Sequence, residues 1–185
     1  KKDAQTAHAN LLEKTDPEAL EWINHFAFDE VQADVDLPDR TKMLSTLAYL
    51  LGMQGVDEYK VMLPVALDNG VSPVEAKEVL YQAVDYLGLG RVFPFFNATN
   101  DVLRARGVEM PLPSQSITTM DNRFEKGEET QIRLFGPQMK DFAKKGTINK
   151  WLVDNCFGDY YTRKGLDDKD REMDQVFDWA KDSQS

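Results

Sequence analysis

The chain has 185 residues, 42% of them apolar, enough to build a core in one domain or two small ones. Its 32 acidic against 22 basic residues give a formal charge of −10, which repels phosphate backbones and anionic lipid, so nucleic acid is not an expected partner. A single cysteine, Cys156, excludes an intramolecular disulfide, a CxxC redox pair and a cysteine-based zinc site, and His8 and His25 have no ligand cluster at metal spacing, so neither metal nor cofactor is expected.

The polar opening KKDAQTAHAN lacks the apolar core of a secretory signal, and no run reaches the roughly 18 apolar residues of a membrane span; a soluble, cytoplasmic protein without membrane contact is the expectation. Asp3 to Lys14 predicts a polar helix. Asp16-Pro17 caps a second, which carries Trp22, Ile23 and Phe26 on one face, expected to be buried. His25 on that helix reads as a surface or satisfied core histidine rather than a catalyst. Leu37-Pro38-Asp39 opens a helix from Arg40 to Met53 that is nearly all apolar between Met43 and Leu51, so most of its surface should be covered.

Val56 to Tyr86 follows as a helical hairpin. Asp57 and Glu58 place negative charge at the N-terminus of its first helix, the electrostatically favoured end, and Pro64 removes one backbone donor and predicts a kink. Asn69-Gly70 ends that helix, because glycine takes the left-handed conformation a helix stop requires. Ser72-Pro73-Val74-Glu75 starts the next one as a capping box with proline at the first helical position. On this second helix Glu78, Gln82 and Tyr86 fall at i, i+4 and i+8 and share a face. Arg91 to Arg106, with its VFPFF patch, predicts a further helix stopped by Gly107.

Pro111 to Thr119 has linker composition, which divides the chain into a complete helical unit at 1–110, a linker at 111–125 and a partial unit at 126–185. Glu128 to Phe142 and Ile148 to Tyr161 predict helices, and Leu166-Asp167-Asp168 another helix start. The acidic run from Asp167 to Asp182 reads as a solvated helix face with i,i+4 pairs. At a constant offset of 129, Trp22 meets Trp151, Ile23 meets Leu152, Phe28 meets Phe157, Leu37 meets Leu166, Asp39 meets Asp168, Arg40 meets Lys169, Lys42 meets Arg171 and Leu44 meets Met173. The partial unit is therefore a second copy of the first, without a counterpart of the hairpin.

The string from Glu58 to Val71, followed by Glu75, Glu78, Gln82 and Tyr86, resembles the signature hairpin of the carboxymuconolactone decarboxylase family, whose fold the alkylhydroperoxidase D-like proteins share. The L-x-D-[RK]-x-[KR]-x-[LM] helix start at Leu37 and again at Leu166 resembles the helix before that hairpin. The resemblance implies an all-α, alkylhydroperoxidase D-like helical bundle and a homo-oligomer, whether dimer, trimer or hexamer. Family members commonly follow the Glu58 position with a histidine four residues on, where this chain has Met62. The peroxidase branch has a CxxC pair, absent here.

Glu58, Glu78 and Tyr86 form the constellation left to carry chemistry: Glu58 as acid or base, Tyr86 as a donor to a substrate oxygen, and Met62, Glu78, Gln82 and Arg91 as the pocket for a small-molecule ligand. The alternative for the same residues is a helix-capping Glu58 and a Glu78 that sits in solvent or in a salt bridge. Cys156 reads either as a thiol activated by Arg163 or as a structural cysteine in an aromatic cluster, and Arg91 with VFPFF as a pocket mouth or as a cover for a neighbouring subunit. Three functions stand side by side. The first is proton-transfer chemistry on a small oxo-acid or lactone, in the manner of a decarboxylase (lyase). The second is a thiol peroxidase of the alkylhydroperoxidase D type, with peroxiredoxin-like antioxidant activity, working through Cys156. The third is a catalytically degenerate oligomeric or ligand-binding scaffold.

Overall fold

The computed structural model describes residues 12–171 and 174–183 and is all-α over them. The N-terminal helix expected from Asp3, together with His8 and Met173, lies mostly or wholly outside the described residues. Helix α1 runs from Pro17 to His25 and continues through a π-type stretch, Phe26–Glu30, into Val31–Asp34. There follow α2 (Asp39–Gly52), α3 (Val56–Asp68), α4 (Pro73–Leu87), α5 (Leu89–Ala105) and α6 (Arg123–Phe135). Helix α7 (Thr147–Trp151) passes into a second π-type stretch, Leu152–Tyr161, and α8 (Asp168–Arg171) and α9 (Asp174–Asp182) end the described chain. No described helix is long and apolar enough to cross a membrane.

The local signals before and after the hairpin turn act as their chemistry dictates. Ser72 Oγ accepts from Glu75 N at 3.2 Å while Ser72 N donates to Glu75 Oε2 at 2.6 Å, which closes the capping box. Helix α3 continues through Pro64 without interruption. The two helices joined by this turn find their main packing partners elsewhere: α3 lies on α2 and α5, and α4 lies on α5, α2 and α9. The core between them holds Leu47, Leu51, Tyr59, Leu63, Leu80, Val92 and Phe95. Tyr59 is sealed there with its hydroxyl on Thr99 Oγ1 at 2.9 Å and its ring edge-on to Phe95; burial pushes its phenol up, against the opposing effect of the Thr99 bond.

Helix α9 enters the same core with Phe177 and Ala180. The expected solvated acidic face is therefore only half of that run, whose charged positions include a surface pair of Lys181 with Asp178. Arg40 joins the two ends of the fold, bonding Glu75 in the capping box and Asp170 in α8, with Nη1 to Asp170 Oδ1 at 3.0 Å. Helices α6 and α7 form a tight second pair, because Gly127 and Gly158 let backbone pass against backbone where any Cβ would overlap Val153 O or Arg123 O.

Two expectations are corrected. The helix predicted from Glu128 to Phe142 starts at Arg123 and stops at Phe135, because Gly136 takes φ +96° and Pro137 follows it. The face of Trp22, Ile23 and Phe26 is not buried: Trp22 is 64% and Phe26 62% exposed, while Leu20 and Phe28 turn inward. The less exposed positions Leu20, Asn24, Ala27 and Phe28 keep a 3.6-residue spacing, so the core meets a different face of this helix from the one that carries Trp22 and Phe26. The π-type stretch of α7 covers the positions 129 residues later, where Trp151 is 61% exposed.

Candidate functional site

The capping box fixes where α4 begins and hence which of its residues face α5 and the strap, the extended segment after α5. Val74, Lys77, Glu78 and Tyr81 repeat at three- and four-residue spacing and line one side of a cavity of about 580 Å³. Helix α5 contributes Asn100 and Arg104, one turn apart. The strap, Met110 to Gln115, forms another wall. It is anchored by Lys164 N donating to Gln115 O at 3.0 Å and by Thr118 Oγ1 donating to Gly158 O at 2.8 Å. Arg163, just past the π-type stretch that ends at Tyr161, completes the lining.

Glu78 is the buried acid of this wall, 2% exposed. Arg163 holds it with both sides of its guanidinium, Nε to Oε2 at 2.8 Å and Nη2 to Oε1 at 2.9 Å, and lies over the Tyr81 ring at 4.7 Å. Burial by itself would lower Arg163, but the bonds to Glu78 outweigh it and hold the guanidinium above its ordinary range. Gly165 matters here because a Cβ at that position would overlap the Glu78 side chain. Arg104 Nη1 donates to Asp101 Oδ1 at 2.8 Å, and Lys77 Nζ donates to Asn100 Oδ1 beside the Phe96 ring. Burial first, and the Arg104 charge second, push Lys77 below the usual lysine range. Three cations and one carboxylate thus line the cavity of a chain whose net charge is −10.

Of the residues expected to form the pocket or carry catalysis, Glu58, Met62, Glu78, Gln82, Tyr86, Arg91 and Cys156, only Glu78 lines this cavity; Arg163, expected beside Cys156, lines it as well. Gln82 is buried and donates Nε2 to Arg171 O at 2.9 Å, with its Oε1 left without a partner. Tyr86 shares a short hydroxyl contact with Tyr161. Their common face is real, but its partners are Arg163, Arg171 and Tyr161, contributed by the C-terminal part of the chain. Met62 is packed in the core, Glu58 sits half-buried in the first turn of α3, and Arg91 is exposed at the start of α5.

Arg163, expected as the cation beside Cys156, is committed to Glu78 instead. The half-buried Cys156 thiol donates to Asp85, an exposed residue whose carboxyl is pushed up to about 7 by the protein packed around it on one side and by Asp159, the Cys156 bond opposing. A carboxylate partner holds the thiol proton in place, the reverse of what activation to thiolate needs.

The sequence reading missed Lys77, Tyr81, Asn100 and Arg104 as cavity residues. The signal for all four was present: Asn100 and Arg104 stand at i and i+4 on one predicted helix, as Lys77 and Tyr81 do on another. The strap and Arg163 left no such signal, since they reach the cavity only through tertiary folding.

Comparison with known proteins places this geometry. The sequence profile of the carboxymuconolactone decarboxylase family matches residues 17–101. The 4-carboxymuconolactone decarboxylase of Acinetobacter baylyi is 31% identical over 87 residues, which cover 47% of this chain and 65% of that relative. The match thus spans just under two thirds of the relative's length, and the family profile includes Glu58 and Glu78 but not the strap or Arg163. The match of residues 17–101, from α1 into α5, supports the resemblance to the carboxymuconolactone decarboxylase family.

Proposed function

We propose that this chain is an enzyme of the decarboxylase (lyase) type that takes a small oxo-acid or lactone into the cavity between α4, α5 and the strap. The observation that carries the reading is a carboxylate buried in a cavity wall whose other charged residues are all cations: Glu78, beside Lys77, Arg104 and Arg163. The cations draw in an acid from water, and a carboxylate on the wall moves a proton between cavity water and a substrate carbon next to a carbonyl group. The relative's printed name, 4-carboxymuconolactone decarboxylase, supports a lactone that bears a carboxylate. Glu58 and Tyr86 remain proposed for the same chemistry, as acid or base and as orienting donor. The Asp85 partner of Cys156 weighs against the thiol peroxidase reading.

The test is turnover of carboxylated lactones and oxo-acids, followed by release of carbon dioxide, in the wild type and in Glu78→Gln and Glu58→Gln. Removing a positioned acid–base group should lower kcat by about a hundredfold or more. Unchanged kcat/KM in Glu78→Gln, with its fold intact by circular dichroism, would sink the assignment of this cavity.

The same reading includes an internal repeat and self-association. Both copies bear a π-type stretch, and both leave a tryptophan with its aliphatic neighbour, Trp22-Ile23 and Trp151-Leu152, open to solvent. Such contiguous apolar surface favours a partner copy. Sedimentation velocity should give a mass above the 21.1 kDa protomer and a shift toward it in Trp22→Glu.

A further inference from the structure

The three cations of the cavity are not equivalent. Arg163 is paired with Glu78 and Arg104 with Asp101, whereas the Lys77 nitrogen donates to a neutral acceptor, the amide oxygen of Asn100. Lys77 is half-buried and shares the cavity with the Arg104 guanidinium, while no carboxylate bonds its own nitrogen. An ammonium in this position has a weak hold on its proton, for burial and the Arg104 charge act in the same direction. Once neutral, a primary amine on a cavity wall is a nucleophile toward carbonyl carbon, and a cationic neighbour in a partly dry pocket is one of the recognised ways of producing one.

We propose that Lys77 captures the carbonyl group of a small oxo-acid as an imine, which makes a 3-oxo-acid a substrate class of this cavity. The inference rests on the reading of the cavity as the active site. The Lys77 nitrogen lone pair adds to the keto carbon, the oxygen leaves as water after gaining two protons, and a protonated imine results. The bond to the carboxyl carbon then breaks, carbon dioxide departs, and its electron pair moves through the carbon–carbon bond onto the imine nitrogen as an enamine. A proton brought from cavity water by Glu78 goes to carbon, and water adds to the imine carbon to release the ketone and the free amine. No oxidant or reductant enters. Arg104 and Arg163 draw in the acid, and Asn100 aims the amine.

Reductive trapping tests this directly. The wild-type protein, incubated at neutral pH with acetoacetate and sodium borohydride, should acquire one N-isopropyl or carboxyl-retaining alkyl group on Lys77 by peptide mass mapping. Exposed lysines such as Lys60 and Lys140 should be labelled far more slowly, and the rate at Lys77 should rise with pH through a midpoint below theirs. Lys77→Arg keeps the charge and should show no adduct and no turnover of the oxo-acid. The proposal is overturned if Lys77 is unlabelled or is labelled no faster than Lys60. If that happens while Glu78→Gln still abolishes turnover, the cavity stays the active site and only imine formation fails. If both variants keep full activity, the cavity reading fails with it.

Discussion

Replacing Arg163 by methionine removes the guanidinium, which also lies over the Tyr81 ring, and keeps most of the apolar stem. In the folded chain this leaves Glu78, 2% exposed and fixed between Gly165 and the strap, without the bidentate partner that now satisfies both of its oxygens. Breaking a buried pair by removing one member costs about 3–5 kcal/mol. The lower end applies here, because Arg163 is itself 18% exposed and Arg171 still lends Glu78 a favourable charge; the expected loss is about 3 kcal/mol. For a chain of this size that lowers the thermal midpoint by about 6–12 °C. Urea unfolding followed by circular dichroism measures it. The double variant Arg163→Met, Glu78→Met should regain most of the loss, since exchange of both charged partners for apolar groups of similar size is often close to neutral. A single-variant loss under about 1 kcal/mol, the scale of an exposed ion pair, would refute the argument that this pair is a buried and mutually dependent unit.

Other consequences follow from single contacts. A Cβ at Gly52 would stand 2.5 Å from Ala180 Cβ and 3.0 Å from Phe177 O, so Gly52→Ala should push α9 off α2, cost about 1–3 kcal/mol and alter the fluorescence of Trp179, which stacks at 5.7 Å on Tyr49. Ser72→Ala should cost about 1 kcal/mol in urea unfolding through loss of the α4 cap. Asp85, held up to about 7 in the folded chain, binds a proton there that the unfolded chain has already released, so its contribution to stability falls as pH rises from about 4 to about 7 and is flat above. Asp85→Asn should remove that slope; because water still reaches the open edge of Asp85, the wild-type midpoint read by carboxyl NMR should fall somewhat short of a sealed aspartate's.

The hairpin was legible because its instructions are local. Asn69-Gly70 and Ser72-Pro73-Val74-Glu75 state a stop and a start within a few residues, and the structure places both there. The shared face of Glu78, Gln82 and Tyr86 was equally legible, since helical periodicity fixes it. What covers that face was not. Arg163 stands 85 residues beyond Glu78, and nothing in the spacing of either residue announces the other. Trp22 and Phe26 misled for a related reason: an apolar stripe specifies that something will cover it, but which face of the helix meets the core, here that of Leu20 and Phe28, is set by tertiary packing.

By itself the sequence determined the helical class, the start and stop of the central helices, the family that residues 17–101 resemble, and the presence of a carboxylate on the second hairpin helix. Caps, turns and periodicity act over a few residues, so they survive in one dimension. Only the tertiary structure decided that this carboxylate lines a cavity with Lys77, Arg104 and Arg163, and that Cys156 faces Asp85. Those neighbours meet through the packing of the C-terminal segments on α4, and burial and nearby charge, which set the chemistry of each group, exist only once that packing has formed.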